Sequence, residues 1–315
     1  MESPQPAAIV VAGEALIDLV PGRAPGEYLA KPGGGPANAA VALARLGLRA
    51  MFLGRVARDG FGNQLADWLA GNGVDLTLTV RVDEPTTLAV ASIGDDGGAD
   101  YTFYWRDTAN WQWSAAELPS TLPAGVLALH LGSLVTVMQP GATALADLLR
   151  RCDGTVTTFI DPNFRPAVDT PAAAAVRLSG WVDQCDIVKV SVDDLAFAFP
   201  NADPHQLAHD WSVDGRALVV LTDGPRGAHA YADGAHVRAQ VAARTVVDTI
   251  GAGDTFGAAF LYALNELGVL HVGASRPLPA VESALEFACG AAAVTCQRAG
   301  ADSPTRAELP AIQRR

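Results

Sequence analysis

One stretch of the chain reads Val246-Val247-Asp248-Thr249-Ile250-Gly251-Ala252-Gly253-Asp254-Thr255-Phe256-Gly257, and an apolar, alanine-rich helical pattern begins inside it. Its small residues leave the backbone uncovered at the predicted start of the helix. Such a start offers unpaired N–H groups and the positive end of a dipole, which together bind phosphate. Asp254 places a carboxylate in the first turn of the same helix. The stretch therefore favours a site where a phosphoryl group meets a hydroxyl group.

Two simpler interpretations stay open on this stretch alone. Its glycines are spaced GxGxxxG, whereas the dinucleotide-binding fingerprint is GxGxxG and is followed by an acidic residue at the end of the next strand. Aspartate is also a common N-cap, so Asp254 could do no more than begin a helix. The rest of the chain has to decide between these interpretations.

Composition limits the classes of function. Half of the 315 residues are hydrophobic and 18% are charged, so the chain can build a large core. The net charge of −12 argues against a surface for nucleic acid or anionic membrane. A basic and apolar leader is missing, and no uninterrupted run of 18 apolar residues occurs. We therefore expect a cytoplasmic protein that contacts no membrane.

Short apolar runs alternate with helical periodicity along most of the chain. Strands are predicted at residues 9–13, 50–55, 127–131, 156–161, 187–191 and 218–222. Helices are predicted between them at residues 38–46, 61–71, 140–150, 171–184 and 205–212. This alternation predicts an α/β fold in three layers, with helices on both faces of a mainly parallel central sheet. Ligands should then collect at the carboxyl ends of the strands.

Residues 16–32 and 86–106 interrupt the alternation. Both segments contain β-branched or alternating residues separated by turn sequences, which predicts a small antiparallel sheet. A sheet that projects near the strand ends could close over a ligand and exclude water. We expect one domain over residues 1–315, with these two segments as its lid.

His205 and His209 lie four residues apart on a predicted helix, a spacing that can hold a metal ion. The sequence shows no third ligand nearby and no HExxH motif, so a solvated helix face is the favoured interpretation.

A second glycine-rich motif, Pro32-Gly33-Gly34-Gly35-Pro36-Ala37-Asn38, precedes an Ala/Leu-rich helix. Together with the DTxGAGD pattern at residues 248–254, it resembles the PfkB family of carbohydrate kinases, which has the ribokinase fold. The resemblance covers residues 9–305, although Ala57 stands where the family usually has glycine. A methyl group is tolerated there if the backbone avoids positive φ. No GxxxxGK[ST] motif occurs, so the phosphate cradle must come from residues 251–254.

The resemblance assigns catalytic and sugar-binding roles. Asp254 is the general base for the acceptor hydroxyl, and an anion hole is formed by the N–H groups of Gly251, Ala252 and Gly253. Residues 103–113 resemble a segment of bacterial fructokinases, and residues 161–166 resemble the DPNxR motif of fructokinases and 2-keto-3-deoxygluconate kinases. The implied sugar-binding residues are Asp18, Gly34, Gly35, Asn38, Phe103, Tyr104, Arg106 and Arg165.

The nucleotide and metal sites follow from the same resemblance. The implied nucleotide-binding residues are Asn163, Lys189, Thr222, Gly224 and Gly227. Asp194 ends an SxxD segment at the place of the family's NxxE motif, which implies an indirect role in binding Mg²⁺. Asp248 and Ile250 match a site for a monovalent cation such as K⁺.

The function implied is transfer of the γ-phosphoryl group of ATP to a sugar, with fructose converted to fructose 6-phosphate. The alternative is a 2-keto-3-deoxygluconate kinase, in which Tyr104, Arg106 and Arg165 grip the carboxylate of the substrate. A ribokinase or nucleoside kinase and a non-catalytic sugar sensor are less favoured. The lid strands of this fold can pair between subunits, so a homodimer is also considered.

Overall fold

The computed structural model describes residues 7–24, 26–93, 99–214, 217–240 and 245–315. Its strands are β1 (Ala8–Ala12), β2 (Leu16–Pro21), β3 (Tyr28–Gly33), β4 (Arg49–Leu53), β5 (Arg55–Ala57), β6 (Val80–Val82), β7 (Leu88–Ile93), β8 (Ala99–Tyr104), β9 (Val126–Gly132), β10 (Thr157–Asp161), β11 (Ile187–Ser191), β12 (Leu218–Thr222), β13 (Ala228–Ala232) and β14 (Ala235–Ala239). Its α-helices are α1 (Gly35–Leu46), α2 (Gly60–Gly71), α3 (Gly141–Cys152), α4 (Pro171–Gln184), α5 (Val192–Ala198), α6 (Pro204–Asp214), α7 (Ala252–Glu266) and α8 (Leu278–Thr295).

The central sheet has eight strands in the order β14-β13-β12-β11-β10-β9-β1-β4. The six strands from β12 to β4 run parallel, and the hairpin of β13 and β14 adds two antiparallel strands at one edge. The six strands predicted from apolar runs are these six parallel strands. Parallel strands are buried on both faces, which is why each one reads as a continuous apolar run.

Helices cover both faces of this sheet. Neighbouring residues of a strand point to opposite faces, so Ile9 and Val11 pack in one core while Val10 and Ala12 pack in the other. The first core lies under α1, α7 and α8, and the second lies under α3, α4 and α6. The three-layer arrangement expected from the sequence is therefore present.

Helix α8 has a mean hydropathy of 1.2 over 18 residues, so by length and composition it could cross a membrane. Two glutamates, Glu282 and Glu286, interrupt its apolar sequence. In the fold it packs against α7, and 56% of the segment is buried. Its apolar surface is used in the core of the protein.

The two segments that interrupt the alternation form a second sheet, with strand order β3-β2-β7-β8. The pairs β2–β3 and β7–β8 are antiparallel, but β2 and β7 run parallel. The prediction of an antiparallel sheet was therefore wrong in its central pair. The long chain between β2 and β7 allows a parallel pairing that a short turn would forbid. Movement of this sheet as a lid stays a prediction.

Ala57, the departure from the family pattern, lies in strand β5, which pairs in parallel with β6. It is buried, and its backbone is not at positive φ. The methyl group is therefore accommodated. The adjacent helix α2 approaches this point closely, because a Cβ atom added at Gly62 would lie 2.0 Å from the carbonyl oxygen of Ala57.

The contact between α2 and β5 gives a test of the fold. We expect Gly62→Ala to lower the free energy of unfolding by about 1–3 kcal/mol, because the added methyl group overlaps a backbone carbonyl. Gly60→Ala on the same helix is the control, since a Cβ atom there meets nothing within 4 Å. Urea unfolding of both variants measures the difference. Equal stabilities would contradict the close approach.

Candidate active site

A cavity of about 960 Å³ lies between the carboxyl ends of the parallel strands and the small sheet. Asp161 and Thr222 reach it from the ends of β10 and β12, and Lys189 reaches it from the middle of β11. Asp18 and Phe103 reach it from the small sheet. The other predicted site residues along its wall are Gly34, Gly35, Asn38, Asn163, Arg165, Asp194, Gly224, Gly227, Ile250, Gly251, Ala252, Gly253 and Asp254. The structure thus gathers residues that are far apart in the sequence.

The floor of the cavity is the start of α7. Gly251 is the residue before the helix and has φ +74°, and a Cβ atom there would lie 2.4 Å from Cβ of Ala301. Only glycine satisfies both constraints. The first helical hydrogen bond runs from the N–H of Thr255 to the carbonyl of Gly251 at 2.9 Å, so the N–H groups of Gly253 and Asp254 have no partner within the helix.

One N–H group of the predicted anion hole, that of Ala252, already has a hydrogen-bond partner in the chain. The N–H of Ala252 donates to the carbonyl of Thr249 at 3.2 Å, so it closes a turn before the helix. The second and third residues of α7, Gly253 and Asp254, instead direct the open end of the helix at the cavity. This end carries the positive part of the helix dipole, which attracts an anion.

The carboxylate of Asp254 meets the glycine-rich motif. Its Oδ2 accepts a hydrogen bond of 2.9 Å from Nδ2 of Asn38, and a Cβ atom added at Gly35 would lie 3.0 Å from Oδ1. Asn38 lies inside α1, which begins at Gly35, and its side chain holds the carboxylate of Asp254. Burial raises the pKa of Asp254, while Asn38, Lys189 and Arg165 act in the opposite direction.

Asp161 and Lys189 form a buried ion pair beside Asp254, with Oδ2 and Nζ 2.6 Å apart. Burial raises the pKa of Asp161 to about 6 even though Lys189 lowers it. Burial acts to lower the pKa of Lys189, but the charge and hydrogen bond of Asp161, together with the charges of Asp194 and Asp254, outweigh it and the pKa is raised. A Cβ atom at Gly253 would lie 3.4 Å from Nζ, so this ammonium group lies at the start of α7.

Asp161 is a site residue that the sequence analysis missed. Its signal was a carboxylate at the last position of a buried strand, which is where a parallel sheet presents its ligand-binding groups. Its Oδ1 is buried and has no hydrogen-bond partner among the described residues, so it can accept a bond from a ligand.

Asp18 enters the cavity from β2. Strand β2 pairs with β3, and a Cβ atom at Gly33 would lie 2.1 Å from Oδ2 of Asp18. This close approach explains the first glycine of the motif. Burial raises the pKa of Asp18 to about 6, Arg165 lowers it and Asp254 raises it further. Two carboxylates, Asp18 and Asp254, therefore face the same space.

Strand β8 presents only alternate side chains to the cavity. Tyr101 and Phe103 line it, whereas Tyr104 is 60% exposed on the other side of the strand. Arg106 is exposed, and its guanidinium carbon lies 5.4 Å from the centre of the Trp105 ring. The structure therefore does not bring Tyr104 and Arg106 to the predicted sugar site. The place of Tyr104 follows from the two-residue period of the strand, whereas Arg106 lies in the turn after β8.

Asp194 anchors the turn that follows β10. Its Oδ1 accepts from the N–H of Phe164 at 2.9 Å, and its Oδ2 accepts from the N–H and the hydroxyl of Ser191 at 2.9 and 2.6 Å. The SxxD segment is thus a capping box at the start of α5. The turn it holds carries Arg165, whose Nη1 donates to Oδ1 of Asn163 at 2.6 Å.

The turn after β12 forms the far end of the cavity. The N–H of Asp223 donates to the carbonyl of Gly227 at 2.8 Å and closes the turn. Gly227 has φ +103°, and a Cβ atom there would lie 2.1 Å from the carbonyl oxygen of Ala239. Thr222, Gly224 and Gly227 therefore present an open backbone to the cavity.

Asp248 lies outside the cavity wall and ties two loops together. Its Oδ1 accepts from the N–H of Ile250 at 3.0 Å, and its Oδ2 accepts from the N–H of Gly300 at 2.8 Å. The predicted cation site at Asp248 and Ile250 is thus a junction that braces the backbone of Gly251.

The sequence model of the pfkB family of carbohydrate kinases matches residues 7–308. The chain belongs to this family. A fructokinase of Rhizobium leguminosarum bv. trifolii is 36% identical over 262 residues, which are 82% of this chain and 79% of that protein.

Two solved structures extend the comparison. A fructokinase of Xylella fastidiosa with bound ATP superposes with a TM-score of 0.84 at 29% identity and covers 96% of this chain and 95% of its own. A fructokinase of Vibrio cholerae O395 with fructose, ADP and calcium gives 0.79 at 26% identity and covers 94% of each chain. This pfkB kinase therefore has the ribokinase-like fold expected from its motifs, and it is an ATP-dependent sugar kinase.

Glu14 is a further buried acid at the edge of the kinase cavity. It is 1% exposed, and burial raises its pKa from the ordinary value of 4.5 to about 7, although Ser133 and the N–H of Val135 bind it. Between these two values the folded protein holds a proton that the unfolded chain has lost. The free energy of unfolding therefore falls as the pH rises from about 4.5 to about 7, because of this residue.

We expect Glu14→Gln to be more stable than the parent at pH 8, by up to about 3 kcal/mol, and no more stable at pH 4. The amide removes the buried charge and keeps an acceptor for the same donors. Urea unfolding at both pH values measures this, with the exposed Glu266→Gln as control. An equal effect at the two pH values would contradict the role of the buried charge.

Proposed function

We propose that this chain is a fructokinase that transfers the γ-phosphoryl group of ATP to fructose and forms fructose 6-phosphate. The observation that carries the proposal is the position of Asp254. Its carboxylate is partly buried at the start of α7, accepts a hydrogen bond from Asn38 and interacts with the charges of Asp18 and Lys189. The fructokinase relatives, two of them with ATP or with fructose and ADP bound, support the same substrates.

Asp254 takes the proton of the acceptor hydroxyl as that oxygen attacks the γ-phosphorus. The bond from the γ-phosphorus to the bridging oxygen of ADP breaks, and ADP leaves with that electron pair. The charge that develops on the transferred group faces the N–H groups of Gly253 and Asp254 and the ammonium of Lys189. Phosphoryl transfer needs mainly such positioning and charge stabilisation.

The carboxylates at the end of β10 and the start of α5 fit a magnesium ion bound with the nucleotide. Oδ1 of Asp161 has no hydrogen-bond partner within the described part of the chain. Asp194 keeps one lone-pair position beyond its three hydrogen bonds. Mg²⁺ prefers one or two carboxylates together with phosphate oxygens, and it would neutralise phosphate charge there. We assign K⁺ to the junction at Asp248 and Ile250, beside the start of α7.

Specificity for fructose is favoured over 2-keto-3-deoxygluconate. The carboxylate of that acid would need a cluster of cations, and Tyr104 and Arg106 lie outside the cavity. Among the described residues that line the cavity, Arg165 and Lys189 carry positive charge, and Lys189 is already paired with Asp161. A neutral sugar suits this environment better than an acid.

A panel of sugars tests the proposal. With ATP and Mg²⁺, we expect kcat/KM for fructose to exceed that for ribose, adenosine and 2-keto-3-deoxygluconate by at least about tenfold, since the cavity matches a neutral hexose. Coupled measurement of ADP release reports the rate. A preference for the keto-deoxy acid would overturn the choice of sugar, and no transfer to any acceptor would support a sugar sensor.

Asp254→Asn tests the general base. The amide keeps the shape and the contact with Asn38 but takes up no proton, so we expect kcat to fall by about 10²–10⁴-fold. Calorimetry should find ATP and fructose affinities within a few-fold of the parent. Asp67→Asn, at an exposed position of α2, is the control. Near-normal turnover of Asp254→Asn would rule out this assignment.

We further propose a cytoplasmic enzyme that forms a homodimer through the small sheet. Its edge strand β3 exposes Tyr28 and Leu29 at 49% and 45%, and its other edge strand β8 exposes Tyr104. Two unpaired sheet edges with large apolar side chains favour association. Light scattering over a dilution series measures the mass in solution.

A further inference from the structure

A group of histidines lies at the hairpin of β13 and β14 and the first turn of α6, outside the wall of the kinase cavity. His205 is in the first turn of α6, Asp223 follows β12, and His229 is on β13. One possible ligand atom of each of these three residues lies within 4.8 Å of those of the other two. The sequence paired His205 with His209. In the fold, the other two candidate ligands are Asp223, in the turn after β12, and His229, on β13.

Each histidine of this group already has a partner for one ring nitrogen. Nδ1 of His205 lies 2.7 Å from the hydroxyl of Tyr231, and Nδ1 of His229 lies 2.9 Å from Nε2 of His236. Metal-binding histidines are oriented in the same way, by a hydrogen bond to the nitrogen that does not bind the ion. The Nε2 atoms of both rings have no hydrogen-bond partner among the described residues.

We propose that His205, Asp223 and His229 bind a first-row transition metal ion such as Zn²⁺, with water completing a tetrahedral site. Two imidazoles and one carboxylate are a donor set that zinc accepts, whereas Mg²⁺ prefers oxygen ligands alone. Two ligands of a tetrahedral zinc ion lie about 3.3 Å apart, since each bond to zinc is about 2.0–2.1 Å long. The three ligand atoms lie within 4.8 Å of one another, so they close in by up to about 1.5 Å when the ion binds.

Arg226 leaves room for this ion. Its Nε and Nη2 donate to Oδ2 and Oδ1 of Asp223 at 2.6 and 2.5 Å, and its side chain is 72% exposed. A carboxylate also has more acceptor positions than one guanidinium fills. None of the three ligands lines the kinase cavity, so the proposal stands or falls independently of the proposed function.

Zinc titration of the full chain tests the site, by calorimetry on metal-free protein without nucleotide. We expect one Zn²⁺ to bind the parent with micromolar or tighter affinity. The double variant His205→Asn/His229→Asn should bind at least about 100-fold more weakly, since two of three protein ligands are gone. His209→Asn is the matched control, one turn along α6 and half exposed, and it should keep the parent affinity.

Two further measurements make the outcome decisive. Without metal, the urea midpoints of the variants should match that of the parent, and Zn²⁺ should raise the midpoint of the parent and of His209→Asn but not of the double variant. Anomalous scattering from a zinc-soaked crystal should place the ion between His205, Asp223 and His229. No binding to the parent, unchanged affinity in the double variant, or an ion at the cysteines or in the kinase cavity would overturn the proposal.

Discussion

The site depends on one contact, between the carboxylate of Asp254 and the amide of Asn38. It joins the first turn of α7 to α1, two helices whose sequences are more than two hundred residues apart. The contact is possible because Gly35 stands where the two helix starts meet, with a Cβ atom there 3.0 Å from Oδ1 of Asp254. A larger side chain at Gly35 would push the two helix starts apart. Gly251 has a separate role, since it lets the loop at Ala301 pack against the start of α7.

The fold was predicted well wherever a pattern within one short segment of the sequence determines the element. Strands β11 and β12 were predicted with the observed bounds, because fully buried parallel strands are short, continuous apolar runs. Helix α5 was not predicted, since its start is a capping box that resembled a metal motif in the sequence. The parallel pairing of β2 with β7 was also missed, because pairing between distant segments leaves no mark in either one.

Site residues were predicted correctly where a motif fixes the backbone. They were predicted less well where the direction of a side chain decides whether the residue faces the cavity. Gly34 and Gly251 have positive φ, which only glycine adopts easily, and Gly35 lies close to Asp254. Tyr104 and Phe103 are neighbours, and only the register of β8 shows that Phe103 faces the cavity. Asp161 was missed because its partner, Lys189, lies on the adjacent strand. Such pairs across strands are a property of the folded sheet.

The ion pair of Asp161 and Lys189 has a kinetic consequence. It cancels one of the two positive charges on the cavity wall in the part of the chain that the structure describes, within a protein of net charge −12. The long-range field around the protein therefore repels anions, and attraction begins only within a turn of the helix end. Anionic ligands then arrive without electrostatic steering, and a phosphorylated product is repelled as soon as it moves away from α7.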